Sequence, residues 1–195
     1  NIERIRELNK IAKRRGQSLA QMAIAWVLRD PRVTVVNADA FTWVHDGKGA
    51  FDVAILDLPD PKNLSLSKLY SVEFMRLLKR RMSAQGIVVT QAGSPLFATE
   101  AFWIVAETVG QEWEATPYHV YVPSFGLWGF VLARPDGMRP RMTNLPKDLT
   151  VLTPEVWATA QVFDAQTGRR DVPVNTLATH PLPQAYQAGW DAWFR

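Results

Sequence analysis

The sequence predicts an α/β fold: an open, mostly parallel sheet with helices between its strands and an antiparallel hairpin near the end. Three observations carry this expectation. Strand-like and helix-like stretches alternate from "RVTVV" to "GFVLA". The run "FDVAILD" (51–57) is apolar enough for a strand covered on both faces. Polar residues also stand at three strand ends: Asn37 with Asp39, Asp57 with Asp60, and Gln91 with Ser94. Ligands of such sheets bind beyond the carboxyl ends of the strands, so this convergence points to a site.

The elements follow in chain order. Ile2, Ile5, Leu8 and Ile11 give residues 2–15 one apolar helical face, which Gly16 terminates. Ser18 then caps a second helix, and the spacing of Leu19, Met22, Ala23, Trp26 and Val27 predicts a buried stripe. Pro31 ends it. "RVTVVNADA" reads as a short β-branched strand, "FTWVHD" as a helical turn and "GKGA" as a loop. After the strand 51–57 comes a loop of aspartates and prolines, then a helix marked by Tyr70, Phe74, Leu77 and Leu78 that runs to about Met82. "QGIVVTQAG" is a further strand and "TEAFWIVAETVGQ" a core helix. "EATPYHVYVPSFGLWGFVLARP" reads as two strands joined around Pro123 and Gly126. From about residue 136 the chain is proline-rich and irregular, with short helices expected to pack back through Trp157, Trp190 and Trp193. Three divisions result: a helical segment 1–34, an α/β half-domain 35–135 and an irregular extension 136–195.

Composition narrows the function. The 195 residues suffice for one domain with a core, or one domain and an appendage. Lys and Arg exceed Asp and Glu by only 22 to 19, and the one dense cluster, "KIAKRRGQ", reads as a solvated helix face. No nucleic-acid partner is therefore expected. The absence of cysteine excludes disulfides, thiolate metal sites and cysteine nucleophiles. His45, His119 and His180 are scattered, so no metal site is expected either. No apolar run approaches the roughly 20 residues of a membrane span, and no signal peptide opens the sequence. The expectation is a soluble, cytoplasmic protein without a membrane partner.

The residues with chemistry lie at the strand ends. Asp57 and Asp60 stand three apart in a turn stiffened by Pro59 and Pro61. Two carboxylates held close raise one another's pKa, and they suit binding a cation or taking a proton from one. The same spacing also fits an Asx-turn or a helix cap. Asp39 stands where it could accept hydrogen bonds from an adenine amino group or a ribose, or simply cap the next helix. "GKGAFD" precedes a strand instead of following one, so it is no dinucleotide fingerprint. Ser94 lacks the nucleophile-elbow spacing.

"VVNADAF", "FDVAILDLPDP", "LYSVEFMRLLKRRM", "GIVVTQAGSP" and "YVPSFGLWGFVLA", in that order and spacing, resemble the spermidine synthases, or polyamine aminopropyltransferases. In particular they look like the variety that carries membrane spans before its catalytic domain. The likeness runs from about Asp30 to Arg195. It implies a methyltransferase-like, doubly wound (Rossmann-like) domain. It also implies transfer of an aminopropyl group from decarboxylated S-adenosylmethionine, as co-substrate, to putrescine. No permanently bound cofactor is implied. By this resemblance Asp57 is the proton acceptor, and Asp60 holds the diamine. Gln91 lines the same cleft, and Phe125 falls where many members place a substrate-binding tyrosine. Asp39 and Ala40 match an Asp-Gly pair that meets the adenine, with alanine replacing the glycine. Leu64 falls where a second adenine-facing proline is usual.

The family places a half-sheet with a glycine-rich cofactor loop before the segment that matches "VVNADAF". Here "IRELNKIAKRRGQSLAQMAIAWVLRDPRVT" stands instead, and it resembles the late helices of aldo-keto reductases over about the first 34 residues. None of that family's catalytic set comes with it. The expectation is a chimera, natural or engineered, with the crossover near "DPRVT"; the rival reading is a single parent with an odd start. The alternative function is an inactive scaffold that binds polyamine or nucleoside weakly at most. The "RVTVV" strand would be an open edge, through which a homodimer could form.

Overall fold

Local rules account for the first two helices. In a computed structural model, which describes residues 2–135, 145–146 and 148–193, the chain divides into two units, Asn1–Asp39 and Ala40–Arg195. The first holds α1 (Ile2–Arg14) and α2 (Leu19–Val27). Glu3 in the first turn of α1 and Lys13 and Arg14 in its last complement the helix dipole. Gly16, at φ 68°, turns the chain out of the helix in the left-handed conformation that glycine adopts without cost to a Cβ. Ser18 and Gln21 form a reciprocal capping box: the Gln21 N–H donates to Ser18 Oγ at 3.2 Å, and the Ser18 N–H donates to Gln21 Oε1 at 2.8 Å.

The apolar stripe of α2 is not buried as its spacing suggests. Trp26 is 66% exposed, with the Arg29 guanidinium stacked 3.2 Å from its ring centroid. Among the described residues of this unit only Ala12 is buried, because a two-helix unit has too little surface to enclose its own apolar faces. A second expectation also changes here. No strand forms at residues 33–37, since a strand exists only where a neighbour completes its ladder. The dimer route through "RVTVV" thus loses its strand.

The second unit is built on four strands: β1 (Phe51–Leu56), β2 (Met82–Gly93), β3 (Glu114–Val122) and β4 (Gly126–Arg134). Their order is β1-β2-β4-β3. β1 and β2 are parallel, while β4 runs antiparallel to both β2 and β3. The expected α/β class and the terminal hairpin are present; the sheet is mixed, with one parallel pair. Pro117 is tolerated in β3 because that strand lies at an edge.

α3 (Ala40–Asp46), α4 (Leu64–Ser67), α5 (Val72–Lys79) and α6 (Thr99–Gly110) complete the α/β region, with a 3-10 turn at Lys68–Tyr70. The core joins Phe74, Met75 and Leu78 of α5 to Phe102 and Val105 of α6 and to Val88 and Val131 of the sheet. Arg81 anchors the front of this unit. Its guanidinium donates to the carbonyls of Lys48 (2.9 Å) and Gly49 (3.0 Å), and lies 5.4 and 5.1 Å from the ring centroids of Trp43 and Phe51.

β1 departs from the two-faced burial that its apolar run suggests. Ala54 and Leu56 pack on the core, but Val53 is 59% and Ile55 73% exposed. β1 is an edge strand, with β2 as its one neighbour in the sheet.

Behind the hairpin, α7 (Pro154–Ala160) starts at a Thr153 cap and sets Trp157 against Tyr118, with ring centroids 5.1 Å apart. α8 (Leu182–Trp193) sets Trp190 and Trp193 on Phe97, at 5.2 and 5.1 Å. The proline-rich stretch expected at residue 136 onward lies largely outside the described residues. Asn175 pins the returning chain. Its Nδ2 donates to the carbonyls of Ser67 (2.9 Å) and Tyr70 (3.2 Å), its Oδ1 accepts from Ser67 Oγ, and its N–H donates to Thr108 Oγ1 (2.9 Å). No helix among the described residues is long and apolar enough to cross a membrane.

Candidate active site

β1 ends at Leu56, so Asp57 is the first residue beyond the strand. The loop that follows, Asp57–Pro61, carries two prolines whose backbones offer no N–H for a ladder. It is held from outside instead. The Tyr70 hydroxyl lies 3.2 Å from both the Leu58 and the Pro59 carbonyl oxygens and donates to them. Gln91, near the end of β2, donates its amide to Leu58 O and to the Tyr70 hydroxyl oxygen, the latter at 3.0 Å. Trp128 of β4 donates its indole N–H to Gln91 Oε1 at 3.2 Å. Burial drives the Tyr70 pKa upward, reinforced by the nearby charges of Asp60 and Asp57 and partly opposed by the Gln91 bond. Tyr70 therefore stays a protonated donor.

This scaffold leaves the two carboxylates in different settings. Asp57 is exposed and has no hydrogen bond or ion pair among the described residues. Asp60 is half-buried. Its Oδ2 accepts from the Tyr186 hydroxyl at 2.7 Å and lies 3.7 Å from Lys62 Nζ. Asp60 sits on the wall of a cavity of about 580 Å³, whose other walls include Phe97, Phe125, Trp128, Tyr186 and Trp190. A carboxylate among aromatic faces can receive an alkylammonium through its charge and the ring quadrupoles, and here Lys62, on the same wall, shares that charge.

Of the residues singled out by the sequence, Asp60 and Phe125 meet in this cavity, and Gln91 reaches its wall through Trp128. Phe125 is 59% exposed, with its ring 5.3 Å from that of Trp128. The polar atoms of Gln91 face the loop carbonyl, Tyr70 and Trp128, which makes it a brace of the Asp57–Pro61 turn. Leu64 opens α4 one residue after its Asn63 cap and is 62% exposed, away from the cavity lining. Ala40 opens α3, half-buried against the core, and Asp39 is the last residue of the other unit. No group of three or more metal-ligating side chains occurs among the described residues.

Sequence reading missed Tyr70, Trp128, Tyr186 and Trp190 as site residues. Tyr70 looked like a core marker and Trp190 like packing. The only available signal was the pair Tyr186 and Trp190, four apart on one helical face.

Fold and site together define an α/β domain with two carboxylates in the turn beyond a strand, one of them on the wall of an aromatic cavity. The chain belongs to the spermine/spermidine synthase domain family, whose model matches residues 10–143. A polyamine aminopropyltransferase of Ralstonia nicotianae is 56% identical over 172 residues, covering 85% of this chain and 33% of that protein. One from Leptospira interrogans is 41% identical over 167 residues, covering 84% of this chain and 33% of the relative. The chain thus spans about a third of the length of the curated relatives it matches. Among solved structures, a spermidine synthase in complex with the transition-state analogue AdoDATO superposes with a TM-score of 0.58 at 21% identity. That match covers 70% of this chain and 50% of the other, and it establishes the fold.

Proposed function

We propose that this chain carries the amine-activating side of an aminopropyltransferase, moving an aminopropyl group from decarboxylated S-adenosylmethionine to putrescine. The supporting observation is the contrast between Asp57, exposed and without a partner among the described residues, and Asp60, held at the wall of the aromatic cavity. An alkylamine has a pKa of roughly 10, so at neutral pH it must lose a proton before it can attack. Asp60 anchors the distal ammonium of the diamine. Asp57 accepts the proton from the attacking nitrogen. The nitrogen lone pair then forms the new N–C bond while the C–S bond breaks and its electron pair returns to sulfur. The leaving group is the neutral thioether methylthioadenosine, so no general acid is required. In-line positioning provides much of the remaining acceleration. Asp39, Ala40 and Leu64 are the residues assigned to the adenine side, on the family resemblance.

Calorimetric titration with putrescine and with methylthioadenosine, on the unaltered chain and on Asp57→Asn, tests this reading. Spermidine formation that disappears in Asp57→Asn supports it. Failure of both ligands to bind at millimolar concentration ends it.

The open outer face of β1 favours a second reading. Val53 and Ile55 stand exposed on the face of β1 opposite Ala54 and Leu56, a face that a helix covers in a doubly wound sheet. In this reading the chain is an inactive scaffold that binds polyamine weakly, and putrescine binding without product formation distinguishes it. The proposed separate lineage of residues 1–34 is independent of either. The family match begins at residue 10, inside that segment, and amplifying source DNA across the codons for residues 30–35 decides the matter.

A further inference from the structure

We propose that Tyr186, on the C-terminal helix, is a positioning residue that orients the Asp60 carboxylate for the distal ammonium of a diamine. The inference rests on the aminopropyltransferase reading and adds to the amine site an element outside the family match at residues 10–143.

The contact is tertiary. Tyr186 lies 126 positions after Asp60 and is 5% exposed, and its hydroxyl donates to Oδ2 at 2.7 Å, within the range of a charge-assisted bond. Lys62 approaches the same oxygen at 3.7 Å. Oδ1 has no partner among the described residues, so it is the oxygen left for an incoming ammonium. A carboxylate with one oxygen tethered loses rotational freedom before the ligand arrives, which reduces the ordering cost of binding. Burial, and next the bond to Asp60, push the Tyr186 pKa upward, so its proton stays on oxygen.

The position of Tyr186 is set by a close helix approach. A Cβ at Gly189 would stand 2.6 Å from Ala98 Cα and 2.8 Å from Phe97 O, so only glycine lets α8 sit this near the start of α6. One residue on, Trp190 stacks on Phe97 at 5.2 Å and lies 6.0 Å from the Tyr186 ring. Gly189 and Trp190, three and four positions after Tyr186, therefore fix the helical face that presents the hydroxyl to Asp60.

The experiment compares putrescine with butylamine, which has the same carbon chain and lacks the distal ammonium. Both are titrated calorimetrically into the full chain, Tyr186→Phe, Asp60→Asn and the double variant. Tyr186→Phe is expected to weaken putrescine about tenfold and to leave butylamine unchanged. In the Asp60→Asn background it should have no further effect. That background keeps the comparison valid if loss of the hydroxyl also loosens α8. Equal weakening of both amines, or a loss that persists without the Asp60 charge, would show a merely structural role and overturn the proposal. Putrescine binding untouched by Tyr186→Phe overturns this inference alone. No putrescine binding by the unaltered chain overturns the aminopropyltransferase reading and this inference with it.

Discussion

Gln91 donates its amide to the hydroxyl oxygen of Tyr70 at 3.0 Å, and Tyr70 in turn donates to the carbonyls of Leu58 and Pro59. A loop with two prolines has few N–H groups with which to hold itself. The strand-end turn bearing Asp57 and Asp60 is therefore held through its carbonyls by side chains from two other places in the chain.

Tyr70→Phe removes that brace while keeping the ring in the core. It leaves the Pro59 carbonyl without its donor and one Gln91 N–H without its acceptor, while Gln91 still donates to Leu58 O, at a cost of about 1–3 kcal/mol. Urea unfolding is expected to show this as a lower midpoint at unchanged slope. An unchanged midpoint would show that water substitutes for the phenol.

Asn175→Ala strips the buried tie between the C-terminal extension and the Ser67–Tyr70 segment. Several buried groups lose partners together, so a loss of roughly 3 kcal/mol or more is expected. Limited proteolysis should release the extension, α8 included, before the sheet is cut. Simultaneous digestion of both would argue against separable docking.

Gly129→Ala tests core packing at the start of β4. The new Cβ would stand 2.4 Å from Phe102 Cε2 and 2.9 Å from Gly93 O, and the backbone oxygen cannot rotate away. Overpacking of this kind costs about 1–3 kcal/mol, readable as a lowered thermal midpoint.

Alkaline pH should destabilise the fold. Burial raises the pKa of Tyr70, Tyr118 and Tyr186 above their ordinary value. The unfolded chain then loses these protons first, so their stabilising contribution is complete below the ordinary tyrosine pKa of about 10 and declines as pH rises past it. Unfolding free energy measured across that range should fall. A flat profile would mean the three phenols ionise equally in both states.

Self-association is expected through β1, the sheet edge with its exposed Val53 and Ile55. Sedimentation velocity should show concentration-dependent growth, and Ile55→Lys should reduce it. A monomer at all concentrations would remove the dimer from consideration.

Much of this architecture can be read from short stretches. The Ser18 cap, β1 and its terminal aspartates, the helix carrying Phe74, Leu77 and Leu78 and the hairpin around Gly126 all arise from neighbours a few residues apart, although that helix ends at Lys79 and Met82 already belongs to β2. The same reading fails at "RVTVV", where β-branched residues suit a strand but have no partner. It fails again at Val53 and Ile55, because an apolar run does not say whether anything will cover it. Trp26 follows the rule for a buried stripe and stays exposed for the same reason.

By itself, the sequence determined the α/β class and the place of Asp57 and Asp60 in a proline-stiffened turn just beyond a strand. These depend on backbone propensity, hydrophobic period and residue type, all of which are local properties. Tertiary structure alone decided that Asp57 stays unpaired among the described residues while Asp60 takes a hydrogen bond from Tyr186. It also decided that Gln91 braces the loop and that the C-terminal helix walls the aromatic cavity beside Asp60. A hydrogen bond across 126 positions depends on where two surfaces dock, and here that docking depends on the missing Cβ of Gly189.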